Sequence, residues 1–231
     1  MINEPRADVR EMYLAHTMFR REIGLAPALI RDVADDDVER AATVADHLQI
    51  VGNSLHHHQV AEDNHVWPRL AERIGVDAEP VVRLMAEQHE AIDALLTEVR
   101  AGLARWRDTA DPVRSEALAA ALGRLYGRLV EHLAVEEELA LPLIEKHITA
   151  TEWAQVFADS AGDLPPGQLP LIVGMMAYEA DPQLVRDIIA QLPGELSCVL
   201  GDLAPVSYAA HAQRVYGTST PARIGARGAM T

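Results

Sequence analysis

Cysteine is nearly absent: the chain of 231 residues has one, Cys198. That excludes a disulfide framework, and a lone thiol fits a reducing cytosol. Aromatic residues are also few, at 4%, and with Ala and Leu abundant the mixture favours helices over sheets. No run of about 18 apolar residues occurs, so nothing is expected to span a membrane. Basic residues number 20 against 35 acidic ones, for a net charge of -15. Such a chain repels phosphate backbones, which argues against a nucleic-acid partner. The first residues, MINEPRADVREM, are charged throughout and do not read as a secretory signal. A cytoplasmic location is expected. The length suits one domain, or one domain with an appended piece, and can bury a core without staples.

Histidine, by contrast, is plentiful, at ten, and its placement is informative. Four long amphipathic helices are expected. The first covers roughly residues 6 to 33, with Val9, Met12, His16, Phe19 and Ile23 at helical spacing. Gly24 and Pro27 are expected to kink or end its first part. The second covers about 38 to 73 and carries Val51, Leu55, His58, Glu62 and His65 on one stripe, with Gly75 closing it. The third covers about 79 to 107 through Met85, His89, Ile92, Asp93 and Leu96. Asp111-Pro112 starts the fourth, which runs to about 147 through Leu125, Leu129, His132, Glu136 and Leu143. Short connections imply antiparallel neighbours, so the fold is read as all-α, an up-down-up-down four-helix bundle with additional C-terminal helices. Residues 1–148 form the bundle. Residues 149–231 form a helical extension packed on it: a helix begins at Thr151, GDLPPG (162–167) breaks the chain, and Leu169–Ala180 and Pro182–Gln191 have helical patterns. From Tyr216 on, the text reads as a loose tail.

An internal repeat organises the bundle. His58-x-x-x-Glu62-Asp63 and Trp67-Pro68 recur as His132-x-x-x-Glu136-Glu137 and Leu141-Pro142, each position displaced by 74 residues. Met12 and His16 lie 73 residues before Met85 and His89. The two halves are therefore related by a pseudo-two-fold axis. Residues four apart share a helix face, so His58 points with Glu62 and His132 with Glu136. Burying an unpaired carboxylate on such an apolar stripe costs on the order of several kcal/mol, and two facing each other cost more. A pair of cations removes the conflict. His16 and His58 are assigned to one metal, His89 and His132 to the other, with Glu62 and Glu136 bridging. Mixed nitrogen and oxygen ligation with vacant positions suits non-haem iron best, with manganese the alternative; zinc favours closed or softer sites.

Over about residues 8 to 147 the chain resembles the hemerythrin-like (HHE cation-binding) family. The pattern His, His-x-x-x-Glu, His, His-x-x-x-Glu is met by His16, His58/Glu62, His89 and His132/Glu136, and QHEAIDALL around His89 is also similar. The resemblance implies a diiron centre, oxo- or hydroxo-bridged, with dioxygen, peroxide or nitric oxide as its small ligand. Oxygen-carrying members have a further His where this chain has Asp93, and His-x-x-x-x-Asp where it has His132-x-x-x-Glu136. Those departures point away from reversible oxygen carriage and toward sensors, peroxide-handling proteins or oxidases.

Asp93, His65 and Tyr13 are candidates for a further ligand or for groups standing behind the ligands. Asp93 could form a third bridge, orient a ligand or make a salt bridge. His65 reads either as a polar residue at the bundle end or as a proton donor or substrate contact. Tyr13 could hydrogen-bond a bound oxygen species or simply pack. His56 and His57 lie off the His58 stripe, and Asp63 and Glu137 either orient neighbours or face solvent. The favoured reading is a redox enzyme, an oxidase, oxygenase or peroxide-decomposing protein, acting on peroxide or a small organic substrate, with the C-terminal helices as lid or pocket wall. The alternatives are a protein that senses or stores oxygen, nitric oxide or iron, and a metal-free bundle with a satisfied His/Glu network.

Overall fold

The computed structural model describes residues 4–162, 164–165, 167–192 and 194–224. Among them lie helices α1 (Arg10–Arg31), α2 (Val38–His65), α3 (Trp67–Ile74), α4 (Glu79–Trp106), α5 (Pro112–Val135) and α6 (Leu141–His147). α2 with its continuation α3, and α5 with its continuation α6, join α1 and α4 as the four rods of the bundle. α1 packs on α2 and α5, and α4 packs on the same two. Side-chain caps fix two of the starts. Asp37 accepts from the Arg40 amide at 3.0 Å, and Asp111 from the Arg114 amide at 2.8 Å, with Pro112 in the first turn. Gly75, at φ +59°, ends α3.

Three details depart from the sequence expectation. α1 runs unbroken through Gly24 and Pro27 to Arg31. Ala26 and Ile30 are fully buried around the proline, so packing outweighs the lost backbone bond. The second rod is not continuous: it breaks at Val66 and restarts as α3 with Pro68 in its first turn. The fourth rod passes through one π-helical turn, Glu136–Ala140, before α6 begins with Pro142 in its first turn. The residues preceding α3 and α6, Val66 and Ala140, are themselves 74 apart, so the repeat extends to the helix breaks that the two prolines impose.

Beyond the bundle come α7 (Ala150–Gly162), α8 (Gln168–Ala177), α9 (Pro182–Ile189) and α10 (Gly194–Tyr216). α7 packs on α2, α8 on α1, and α10 on α8 and α2. α10 is a helix the sequence pattern does not announce, because Gly201 and Pro205 interrupt it. Its contact with α8 depends on Gly174: a Cβ there would lie 2.1 Å from the Ala204 carbonyl oxygen and 2.8 Å from the Tyr208 Cβ. Residues 217–224 follow without helix, and the rest of the expected tail, 225–231, lies outside the described residues. Among the described residues no helix is long and apolar enough to cross a membrane.

The buried apolar residues form two clusters. One contains Phe19, Leu55, Ile92, Leu129 and Leu133. The other contains Met12, Ala61, Trp67, Met85 and Ala140. On every rod the chain crosses from one cluster to the other at the position of a His or Glu of the repeat. The bundle thus holds a polar layer between two apolar ones.

Candidate metal centre

Each rod contributes to that layer: α1 His16, α2 His58 and Glu62, α4 His89, and the fourth rod His132 and Glu136. All six are buried except His58, whose side chain is 13% exposed. They sort into two triads, His16/His58/Glu136 and Glu62/His89/His132, in each of which one donor atom per residue lies within 4.8 Å of the others. The imidazoles pair as the repeat anticipates, His16 with His58 and His89 with His132, at ring-centroid distances of 5.5 and 4.8 Å.

The carboxylates stand between the pairs. Glu136 Oε2 is 3.3 Å from His16 Nε2 and 3.6 Å from His132 Nε2. Glu62 lies 3.3 Å from His58 Nε2 through Oε1 and 3.4 Å from His89 Nε2 through Oε2. Each carboxylate therefore faces one imidazole of each pair, the arrangement a bridging ligand needs.

A satisfied polar network is not what this layer contains. The Nε2 atoms of His16, His58, His89 and His132 and all four carboxylate oxygens of Glu62 and Glu136 are buried and make no hydrogen bond. Eight orphaned atoms converging on one place would be prohibitively costly in a finished core. They are the lone pairs of a nitrogen and oxygen donor set, and they fit metal cations.

The outer ring nitrogens show how the donors are aimed. His16 donates from Nδ1 to Glu137 Oε1 at 2.9 Å, and His89 donates from Nδ1 to Asp63 Oδ1 at 2.8 Å. Asp63 and Glu137 are equivalent positions of the repeat, each directly after a Glu of the layer. His132 donates from Nδ1 to Gln88 Oε1 at 3.0 Å. These bonds place a proton on Nδ1 and turn Nε2 inward. The halves differ in burial. Glu137 lies in the π turn, its side chain is inaccessible, and it also accepts from Arg20 Nη1 at 2.9 Å. Asp63, in regular helix, is 44% exposed.

Electrostatics repeat the same conclusion. Burial, reinforced by neighbouring histidines, lowers His58 to about 3; burial likewise lowers His132 to about 4 against the pull of Glu136. Burial and then the nearby Glu136 raise Glu62 well above the ordinary carboxylate range. Burial also opposes the charge on Glu136, but His16, then His132, outweigh it and hold Glu136 below that range. Without cations the two carboxylates cannot both ionise.

One side of the layer opens into a cavity of about 100 Å³. His58 and Glu62 form part of its wall. Apart from Glu11 and Ser54 the remainder is largely apolar: Met18 and Phe19 of α1, Phe157 of α7, and Ile172 and Met176 of α8 are among the residues that close it. The C-terminal helices thus supply much of the wall. On the His89 side lies a shallow surface groove that includes Asp63, Trp67 and Asp93.

The three further candidates fall outside the layer. Asp93 is half-exposed, accepts from His56 Nδ1 at 3.0 Å and belongs to neither triad. His65 pairs with Asp159 of α7 at 2.5 Å, fastening the extension to α2. Tyr13 is 39% exposed and belongs to neither triad.

A second buried polar cluster escapes sequence reasoning altogether. Glu22, fully buried, pairs with Arg21 at 2.7 Å and His47 at 3.3 Å and accepts from Tyr208 at 2.9 Å and from Tyr216. His47 in turn bonds His211 at 3.1 Å. Arg20-Arg21-Glu22 reads as a solvated helix face until α8 and α10 cover it. The available signal is that His47 and His211 have no place in the repeat.

Compared with known families, residues 7–144 match the model of the hemerythrin HHE cation binding domain. No curated protein and no solved structure matches the chain.

Proposed function

The chain belongs to the hemerythrin HHE cation-binding family, and from that premise we propose that it is a non-haem diiron protein that reacts with dioxygen or a peroxide as a redox enzyme. The observation that carries the proposal is the set of eight buried, unbonded donor atoms divided between two triads. His16, His58 and Glu136 would hold one iron, and His89, His132 and Glu62 the other, each carboxylate reaching across to the second ion. Imidazole nitrogen with carboxylate oxygen is a donor set suited to iron. Eight donor atoms are fewer than the roughly twelve positions of two six-coordinate ions, so room remains for a small reactant. Two irons held there would supply electrons to dioxygen or peroxide.

The chain's own residues set the conditions for that chemistry. Glu137, Asp63 and Gln88 accept the Nδ1 protons of three histidines, which fixes ring orientation and raises ligand basicity. Asp93, four residues after His89, is tied to His56 and lies outside both triads. The cavity reaching His58 and Glu62 supports turnover of a second reactant over mere sensing or storage, because a sensor of a diatomic gas needs no apolar chamber of that size.

The test is to reduce the iron-loaded protein without air and follow its optical spectrum on adding dioxygen or hydrogen peroxide. Oxidation of the irons is expected, followed by repeated consumption of hydrogen peroxide, or of dioxygen once a chemical reductant is supplied. A stable adduct with oxygen or nitric oxide that reverses on removal of the gas would contradict the enzyme reading and make the protein a sensor or carrier.

A further inference from the structure

We propose that the cavity between α1, α2, α7 and α8 is the binding site for a small, uncharged, largely apolar organic substrate, about one aromatic ring in size, with Glu11 as its polar recognition group. The inference rests on the diiron reading, since it gives the second reactant of that site a chemical class.

Size comes first. A cavity of about 100 Å³ exceeds what a diatomic gas or one water requires, a water's share of liquid being about 30 Å³. It is somewhat smaller than the roughly 150 Å³ cavity that takes up benzene in another protein. Three methionines, Met12, Met18 and Met176, lie in its wall. Their unbranched, flexible side chains yield to an irregular guest more readily than branched ones. A single ring is the natural upper limit.

Charge comes second. Among the described residues no Lys or Arg lines the cavity, whereas two carboxyl groups do, Glu11 and Glu62. An anion would find no partner there. A cation would approach metal ions whose charge the two layer carboxylates only partly offset. Neither charged form can be desolvated cheaply in so apolar a chamber, so the guest is neutral.

Polarity comes third. Glu11 is not part of the metal layer, yet it lines the same chamber as His58. One of its oxygens accepts from Trp153 Nε1 of α7, and the carboxyl forms part of the cavity wall, where its second oxygen is the acceptor a guest can meet. Burial pushes the group up to about 7, so that it can accept or donate near neutrality. A hydroxyl or amide N–H on the guest is the complement to that oxygen. The rest of the guest would meet Phe19, Phe157 and Ile172 and lie within reach of the His58 side of the centre. The C-terminal extension thereby acquires a role: without α7 and α8 the chamber has no outer wall.

The experiment uses the full-length, iron-loaded protein and four probes: benzene, phenol, benzoate and benzylamine. Binding is read by saturation-transfer NMR on the diamagnetic zinc-loaded form and by calorimetry on the iron form. Phenol should bind tightest, benzene about tenfold more weakly, and benzoate and benzylamine weaker than benzene. Val173→Trp, at another wall position, should abolish binding of all neutral probes while leaving two irons in place. Glu11→Leu should retain benzene and erase the preference for phenol. Absence of neutral-ring binding in a protein that still loads iron and consumes oxidant would overturn this inference and leave the diiron reading standing. A preference for benzoate, or phenol binding unaffected by Val173→Trp, would overturn it as well. Ring binding to a protein that takes up no iron would instead overturn the diiron reading, and with it the cavity's role as a substrate site.

Discussion

Removing the hydrogen-bond acceptor behind a histidine should weaken metal binding, and the structure says by how much the two halves will differ. Glu137 and Asp63 occupy equivalent positions, and each accepts Nδ1–H from a histidine of the layer, at 2.9 and 2.8 Å. Loss of such a partner typically costs 10- to 100-fold in metal affinity, or about 1.4 to 2.8 kcal/mol. Glu137 is inaccessible to water and also pairs with Arg20, whose side chain is 8% exposed. Burial penalises its charge, but His16 and Arg20 prevail and hold it down to about 2. Water cannot replace what Glu137→Leu removes, so the loss should fall near 100-fold. Asp63 is 44% exposed, and solvent can take over the His89 proton, so Asp63→Ala should cost about tenfold or less. Anaerobic competition of each variant against a ferrous chelator measures the affinities, with thermal melts of the metal-free forms to separate fold from site. Equal losses, or a larger loss for Asp63→Ala, would refute the claim that burial decides the strength of these contacts.

Four further outcomes are expected. Gly174→Ala forces a methyl group into the Ala204 carbonyl; overpacking of this kind costs about 1–3 kcal/mol or more, so the urea midpoint should fall clearly, and an unchanged midpoint would mean that α8 and α10 do not touch as described. Burial, then His47, lowers His211 to about 4. The unfolded chain therefore takes up that proton first, and stability present above pH 6.5 is lost as pH falls toward 4; replacing His211 with Gln should flatten the acid limb of a stability–pH curve over that window. Glu22, lowered to about 2 by His47 and Arg21 against its burial, contributes stability above pH 4.5 that disappears as pH falls to 2. Metal uptake must expel the proton that burial and Glu136 keep on Glu62, so apparent iron affinity should fall from pH 8 to pH 6, with proton release visible in weakly buffered titrations.

Much of the bundle was legible because one signal governs both helix and site. The 3.6-residue stripe that identifies a core face also carries His58, Glu62, His132 and Glu136, and the 74-residue displacement doubles the signal. The two-fold relation even anticipates that Asp63 and Glu137 play matching parts. The readings of His65, Asp93 and Tyr13 did not settle from spacing. Position on a stripe gives direction, not reach: Asp93 turns to His56 and His65 to Asp159. The π turn at Glu136–Ala140 was hidden for a different reason. A one-residue widening leaves no compositional mark, and Pro142 alone signals only that a helix restarts. The Glu22 cluster and α10 were illegible together. Arg21 and Glu22 look like surface residues until a covering helix is known, and that helix contains Gly201 and Pro205 and owes its stability to packing rather than propensity.

The most direct test of the account is the iron content of protein produced with ample iron, beside that of a His58→Ala/Glu136→Ala variant. Both substitutions strike the first triad, and Glu136 reaches the second through His132. The account predicts two irons per chain in the parent and their joint loss in the variant, with the helical fold retained. An iron-free parent, or a variant that keeps both irons, would contradict it.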